Sequence, residues 1–163
     1  MKYVALLRAV NVAGHGKMPM SDLRAMCERV GCRNVQTYIQ SGNVMFQSEG
    51  DVAARLSAAL EAYFGAARQV VVLTAEDMEA VLAHMPFHGA DGKQVGVMFY
   101  NTPVGALSVT GQRDEVIEMR DRVVYVHYPT GMGRSKLRFG AGQTGTMRNL
   151  NTVQKLVEML RDD

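Results

Sequence analysis

The first 73 residues contain four short apolar runs whose alternation and composition predict β-strands. They are KYVALLR (2–8), NVQTYIQ (34–40), NVMFQ (43–47) and QVVVL (69–73). Ser41 and Gly42 join the second run to the third, and a short polar link of this kind predicts a β-hairpin. The sheet predicted for this half therefore contains one hairpin and two longer crossovers.

Two stretches between these runs carry apolar residues at helical spacing. The first begins around Pro19, which is tolerated in a first helical turn, and ends at Gly31. The second runs from about Asp51 to Phe64 and ends at Gly65. The predicted order is therefore β-α-β-β-α-β, the ferredoxin-like arrangement, in which the strands lie side by side in the order 4-1-3-2.

The second half is less regular, and its elements are predicted individually. The pattern predicts a helix from Thr74 to His84, a strand at 95–100 and a short helix in TPVGALSV (102–109). A hairpin of 114–119 with 123–127 follows, and then a helix or loop at 135–139. The final helix has four apolar residues on one face, Val153, Leu156, Val157 and Leu160. This order reads as β-α-β-β-α with the last strand replaced by a helix. We therefore predict a single α+β domain, 1–163, made of a ferredoxin-like βαββαβ lobe (1–73) and a related α+β lobe (74–163), a pattern consistent with a pseudo-duplication.

Composition narrows the class of protein. With 47% apolar and 21% charged residues in 163, the chain is typical of a folded globular protein. Its net charge of +2 does not favour nucleic acid as a partner, and no apolar stretch approaches the roughly 20 residues of a membrane span. The apolar run at the N-terminus is broken by Arg8 too early for a signal peptide, so a cytoplasmic location is expected. Cys27 and Cys32 fit no zinc or redox pattern and are expected to be reduced core thiols.

Three segments resemble a bacterial family known as domain of unknown function 1697. They are LLRAVNVAGHGKMPMSDLR (6–24), NVQTYIQSGNVMF (34–46) and TMRNLNTVQKL (146–156). The family pattern has glycine where this chain has Ala13 and tryptophan where it has Leu150. The resemblance implies an α+β fold with ferredoxin-like character and no established activity.

The predicted topology brings polar residues from two loops to one edge of the first sheet. In a β-α-β-β-α-β unit, the loop after the first strand and the hairpin between the second and third strands leave the same end of the sheet. Glycines in these loops allow backbone N–H groups to approach a ligand, and the helix that follows the first loop directs the positive end of its dipole towards that loop. An anion is therefore the expected ligand. The candidate ligand-binding residues are Arg8, Asn11, Gly14, His15, Lys17, Gln40, Ser41 and Asn43. Turn formation alone also explains the glycines, serine and asparagines, but not the basic side chains.

A second candidate site lies in TMRNLNT, before the final helix. Arg148 beside a helix N-terminus is unfavourable unless it faces an anion or an acidic side chain, and both readings stay open. Asn149 and Asn151 are candidate ligand residues and equally candidate N-caps of the final helix. Arg134 and Lys136 add positive charge nearby in the sequence.

Complete catalytic motifs are missing from the sequence. The run GHGK has Asn11 and Met18 where a phosphate-binding P-loop requires Gly and Ser or Thr. His84 and His88 are separated by Pro86, which prevents them from sharing a helix face as metal ligands. We therefore predict no metal site and no cofactor, and we leave open whether the protein is an enzyme.

The function predicted first is a small module that binds a phosphate- or carboxylate-bearing ligand at the first loop and hairpin. An enzyme that acts on such a metabolite is the alternative, with His15 as the acid or base because its ordinary pKa lies near neutrality. Weak nucleic-acid binding through Tyr3, Tyr38 and Phe46 on the sheet is a third hypothesis, and a protein-interaction module is a fourth. The sequence does not predict the oligomeric state.

Overall fold

The computed structural model describes residues 1–8, 17–38, 42–50, 52–140, 143 and 145–161. These residues form four α-helices and ten strands, and each strand pair among them is antiparallel. The chain divides into two compact units, Met1–Met78 with Glu158–Asp163, and Glu79–Val157. The fold is therefore of the mixed α+β class, as predicted. That the units form a single domain stays a prediction.

The first unit contains the six elements predicted for it, in the predicted order. They are β1 (Lys2–Leu7), α1 (Met20–Arg29), β2 (Arg33–Tyr38), β3 (Asn43–Gln47), α2 (Ala53–Phe64) and β4 (Val70–Thr74). Pro19 directly precedes α1, and α2 ends at Gly65, whose φ of 73° is left-handed, as the sequence indicates for a glycine C-cap. The strands lie in the order β2-β3-β1-β4.

The core of the first unit lies between one face of this sheet and the helices α1 and α2. Successive strand residues point to opposite faces, so Val44 and Phe46 share the helix-covered face while Met45 and Gln47 share the other. The helices contribute their apolar stripes to the same cluster. Its fully buried members include Ala5, Leu7, Leu23, Met26, Cys27, Val44, Leu56 and Leu60.

A third helix, α3 (Ala75–Ala83), follows β4 directly. Thr74 and Asp77 cap it reciprocally: the Asp77 backbone N–H donates to Thr74 Oγ1 at 3.0 Å and the Thr74 N–H donates to Asp77 Oδ2 at 3.0 Å. The sequence prediction that Thr74 caps this helix is confirmed.

The second unit is built on a four-stranded sheet with the order β10-β5-β8-β7. Its elements are β5 (Val95–Phe99), β6 (Val109–Thr110), β7 (Val116–Arg120), β8 (Val123–His127), β9 (Arg138–Phe139), β10 (Thr146–Asn149) and the helix α4 (Leu150–Arg161). The strands β7 and β8 form the predicted hairpin, with Asp121 at a φ of 54° in the turn. The short strands β6 and β9 pair with each other separately.

Two predictions for this half were wrong. TPVGALSV is not a helix: it is irregular chain that ends in β6, and Val104 and Leu107 pack against the cluster formed by Met98, Val124 and Val126. The segment 135–139, predicted as helix or loop, is loop at 135–137 and then β9, after a 3₁₀ turn at Met132–Arg134. The last strand is not replaced by a helix, because β10 pairs with β5 and α4 follows it.

The final helix is as predicted. Val153, Leu156, Val157 and Leu160 are all buried, on one stripe of α4. The boundary between the two units falls inside α3, after Met78, and inside α4, after Val157.

Candidate functional site

The end of β1 is the structural centre of the first predicted site. Leu6 lies opposite Asn43 in the antiparallel pair, and the Leu7 backbone N–H donates to the Gly42 carbonyl at 2.9 Å. The Arg8 backbone N–H donates to the Gln69 carbonyl, just before β4, at 3.0 Å. One edge of the sheet therefore carries the exit of β1, the hairpin before β3 and the entry to β4.

The start of α1 points to the same edge. Gln47 lies opposite both Lys2 and Arg33, so β1 and β2 begin at the opposite end of the sheet. Because α1 ends at Arg29, shortly before Arg33, the C-terminus of the helix lies at that opposite end. Its N-terminus, with Lys17 just before it, is therefore directed towards the edge where Arg8 leaves β1.

The side chains at this edge have different environments. Arg8 and Lys17 are exposed, whereas Asn43 is completely buried and its Nδ2 donates to the Tyr38 carbonyl across the hairpin at 3.1 Å. Asn43 thus serves the turn, which is the structural role that its residue type indicates. Pro19 makes no side-chain hydrogen bond to the first turn of α1. The edge therefore has two surface cations beside a helix N-terminus that no side-chain cap covers among the described residues.

The remaining residues of this predicted site are not among those that the structure describes. They are Asn11, Gly14, His15, Gln40 and Ser41. Their assignment stays a prediction, and so does the role of His15 as an acid or base.

Arg148 belongs to the interior of the second unit. It lies on β10 opposite Val97, which lies opposite Tyr125, and residues directly opposite on adjacent strands share a face of the sheet. Only 9% of Arg148 is exposed, and burial lowers the pKa of its guanidinium to about 10 because desolvation disfavours the charged form. Its Nη1 donates to the Met147 carbonyl at 2.9 Å. Arg148 is still charged at neutral pH, but it is a buried cation rather than a surface one.

Asn149 is the N-cap of α4. Its Oδ1 accepts a hydrogen bond from the Thr152 backbone N–H at 2.8 Å, so of the two asparagines predicted as caps it is Asn149 that has this role. Asn151 is exposed on the first turn and its Oδ1 lies against Gly92, where a Cβ atom would be only 2.0 Å away. Both asparagines therefore have structural contacts in the second unit.

We expect Asn149→Ala to lower the free energy of unfolding by about 1 kcal/mol, because it removes the side-chain acceptor of an otherwise unpaired N–H. Urea denaturation followed by circular dichroism would measure the loss. Gln154→Ala, on an exposed position of the same helix, is the matched control and is expected to have almost no effect. A loss equal to that of the control would contradict the capping role.

The segment with Arg134 and Lys136 is fixed by the residue between them. Ser135 Oγ donates a short hydrogen bond to Glu115 Oε2, and the Arg113 backbone N–H donates to Glu115 Oε1 at 2.6 Å. These two bonds hold the pKa of the Glu115 carboxyl below its ordinary value. Arg134 and Lys136 are exposed on either side. Spacing alone did not indicate this contact, because Glu115 and Ser135 are 20 residues apart.

A cleft at the opposite end of β1 was also not predicted. It has a volume of about 330 Å³, and its polar lining includes Lys2, Gln36 and Gln47. The alternation of the second and third apolar runs places Gln36 and Gln47 on one face, which is a signal that sequence reasoning could have used. The wall contributed by Met159 and Leu160 carries no such signal.

The model of the family described as "Protein of unknown function (DUF1697)" matches residues 1–125. The chain belongs to this family. The match includes the edge at Arg8 and the residues of β1, β2 and β3 that line the cleft, and it ends before β10 and α4.

Among solved structures, the chain is similar to that of the conserved bacterial protein SP0830 from Streptococcus pneumoniae. The two share 24% sequence identity with a TM-score of 0.70, and the alignment covers 98% of each chain. At this identity the likeness is one of fold alone. No curated protein matches the chain.

Two further properties concern membranes and metals. None of the helices in the described parts of the chain is long and apolar enough to cross a bilayer. The same residues contain no group of three or more His, Cys, Asp or Glu side chains placed to hold a metal ion.

Cys27 and Cys32 are both buried free thiols, and burial, together with the neighbouring Cys32 thiol, raises the pKa of Cys27 to about 12.

Proposed function

We propose that this member of the DUF1697 family binds a small phosphate- or carboxylate-bearing ligand at the edge of the first sheet where β1 ends. The observation that carries the proposal is the pairing of Leu6 with Asn43, since it brings the exit of β1 and the first hairpin together. Arg8 and Lys17 supply positive charge in that region, and the first turn of α1 adds the positive end of a helix dipole. Anions are the ligands that this combination attracts.

The expected affinity follows from the number of contacts. Two or three charge-assisted hydrogen bonds contribute about 1.5–3 kcal/mol each, and the loss of translational and rotational freedom on binding offsets part of this. The result is a dissociation constant between about 1 μM and 1 mM. A ligand at about 100 times its Kd would stabilise the protein by about 2.7 kcal/mol, or about 5 to 10 °C in Tm for a chain of this length.

A thermal-shift screen tests the proposal. Inorganic phosphate and a panel of phosphorylated and carboxylated metabolites are added to the purified chain. We expect one chemical class to raise the Tm, and Lys17→Ala to weaken the binding of that class about tenfold by removing one charge-assisted contact. Lys93→Ala, which removes an exposed cation from the second unit, is the matched control and should leave the shift unchanged. Equal shifts in Lys17→Ala and in the unmodified protein would contradict the site.

The same purified protein and panel of compounds distinguish the other hypotheses for function. An enzyme would turn over the stabilising compound, and His15→Ala would abolish turnover but not binding. For nucleic-acid binding, the aromatic residues offer little support, because Tyr3 and Phe46 stack at 5.7 Å within the helix-covered core cluster. Short oligonucleotides belong in the panel as a check, since their binding would depend steeply on salt.

We also propose that the two units descend from one ferredoxin-like βαββαβ unit. The support is the strand order: β5, β7, β8 and β10 occupy the same relative places in their sheet as β1, β2, β3 and β4 in theirs. In both units a helix follows the fourth strand, α3 after β4 and α4 after β10. The connections of the second unit contain loops and the short strands β6 and β9 where the first has α1 and α2.

A further inference from the structure

The cleft in the first unit lies on the face of the sheet that α1 and α2 do not cover. Met45 and Gln47 point to this face because they alternate with the core residues Val44 and Phe46. The last turn of α4, with Met159 and Leu160, forms the facing wall. All of these residues belong to the same compact unit, since Glu158–Asp163 is grouped with Met1–Met78.

The polar part of the lining consists of one ammonium group and three carboxamides. Lys2 Nζ donates to the Leu160 carbonyl at 3.4 Å, which places the ammonium beside the α4 wall. Asn34 Nδ2 donates to Gln47 Oε1 at 2.7 Å, and Gln36 is exposed at the edge of the sheet. The described lining contains no carboxylate side chain. Among the described residues, the lining therefore combines one cationic side chain with neutral hydrogen-bonding groups.

The remaining lining is apolar and adaptable. Met45 and Met159 have flexible, polarisable side chains that adjust to the shape of a ligand, and Leu160 adds aliphatic surface. A highly hydrated anion such as phosphate would lose its water and gain only one cationic partner among the described lining residues. A volume of about 330 Å³ lies at the lower end of the range of small-molecule sites, which is about 300–1,000 Å³.

We propose that this cleft binds a small monocarboxylate with a short apolar tail, whose carboxylate contacts the Lys2 ammonium and the carboxamide N–H groups. The apolar tail then lies against Met45, Met159 and Leu160. Charge-assisted hydrogen bonds to the carboxylate give the orientation, and burial of the tail gives the remaining affinity.

This site is separate from the anion site of the proposed function. Lys2 begins β1 and Arg8 follows its end, so six residues of extended chain place the two about 20 Å apart. Variants at Lys17 and at Lys2 therefore test the two proposals independently, and either can fail without the other.

Methyl NMR of the whole chain, with ¹³C in the methionine methyl groups, tests this proposal at the site itself. We expect hexanoate to shift the Met45 and Met159 methyl signals in a saturable way with a Kd of about 1 mM, which is an affinity typical of so small a ligand. Hexan-1-ol, which has the same tail but no charge, should bind about tenfold more weakly. Lys2→Met should lower hexanoate affinity about tenfold and leave that of hexan-1-ol unchanged, and Lys2→Arg should restore much of the loss.

Two further variants complete the experiment. Lys93→Met removes an exposed cation outside the first unit and should not change hexanoate binding. Gln36→Ala changes an exposed side chain of the lining, so the variant should fold normally even if Lys2→Met does not fold. It should lower the affinity for hexanoate several-fold. Equal affinity for hexanoate and hexan-1-ol, or saturable shifts at methionines of the second unit only, would overturn the proposal. The absence of any saturable shift would overturn it equally.

Discussion

Replacing Gly111 with alanine is expected to lower the free energy of unfolding of the second unit by about 3 kcal/mol. Gly111 has a φ of 72°, and an L-residue in this left-handed region costs about 1–2 kcal/mol. A Cβ atom there would lie 2.1 Å from the Lys136 carbonyl oxygen, which is backbone and cannot rotate away. Relief of such a contact requires a backbone shift that costs about 1–3 kcal/mol more. Urea denaturation, followed by circular dichroism, measures the loss.

A matched control for this prediction is available in the same unit. Gly105 has nothing within 4 Å of the position that a Cβ atom would occupy. We expect Gly105→Ala to change stability by no more than about 0.5 kcal/mol, the range of ordinary surface substitutions. Equal stability of the two variants would contradict the close approach of Gly111 to the segment that contains Ser135.

Leu60→Ala is expected to lower the free energy of unfolding of the first unit by about 3 kcal/mol. Leu60 is completely buried on α2, in the cluster between the helices and the sheet. Its truncation removes the favourable burial of one methine and two methyl carbons and leaves a cavity, and such substitutions cost about 2.7–5 kcal/mol. Glu61→Ala changes the next residue, which is exposed, and should have little effect. A loss below about 1 kcal/mol in Leu60→Ala would contradict its place in the core.

These two destabilising variants together also test the predicted single domain. If the units unfold as one cooperative body, Gly111→Ala and Leu60→Ala will each move the same single transition by similar amounts. If they unfold separately, each variant will move one transition and leave the other unchanged. Tyr3, Tyr38 and Tyr63 report on the first unit and Tyr100, Tyr125 and Tyr128 on the second, so their NMR signals distinguish the two outcomes.

The first half of the fold could be predicted because its local signals agree with its tertiary contacts. Apolar runs such as QVVVL lie on strands, the apolar stripes of α1 and α2 face the core, and Gly65 ends a helix in the left-handed conformation that glycine allows. Once the order of the elements is known, topology brings Arg8 and the hairpin to one edge.

The second half of the fold was harder to predict because two of its segments give misleading or weak signals. Val104 and Leu107 have the spacing of a helical stripe, but they lie in irregular chain and pack against the second core cluster. The strand β10 has only four residues, and the alternate positions that it buries are Thr146 and Arg148. A buried polar pair gives no apolar alternation, so only the pairing with β5 defines this strand.

The sites show the same difference between local and distant signals. The N-cap at Asn149 could be predicted because it depends on residues three apart. The cleft could not, since its sides come from β1, from the hairpin and from the last turn of α4, more than 100 residues further along the chain. Lys2 shows this directly, because its partner Leu160 is 158 residues away.

The grouping of Glu158–Asp163 with the first unit has a consequence for biosynthesis. At about 5–20 residues per second, a ribosome needs about 4 to 16 s to go from Met78 to Glu158. During that interval the first six elements are already made, but the sheet face with Met45 lacks its α4 wall. The nascent chain therefore presents a half-covered apolar surface for several seconds. A chaperone that recognises such surfaces would bind the chain during that interval.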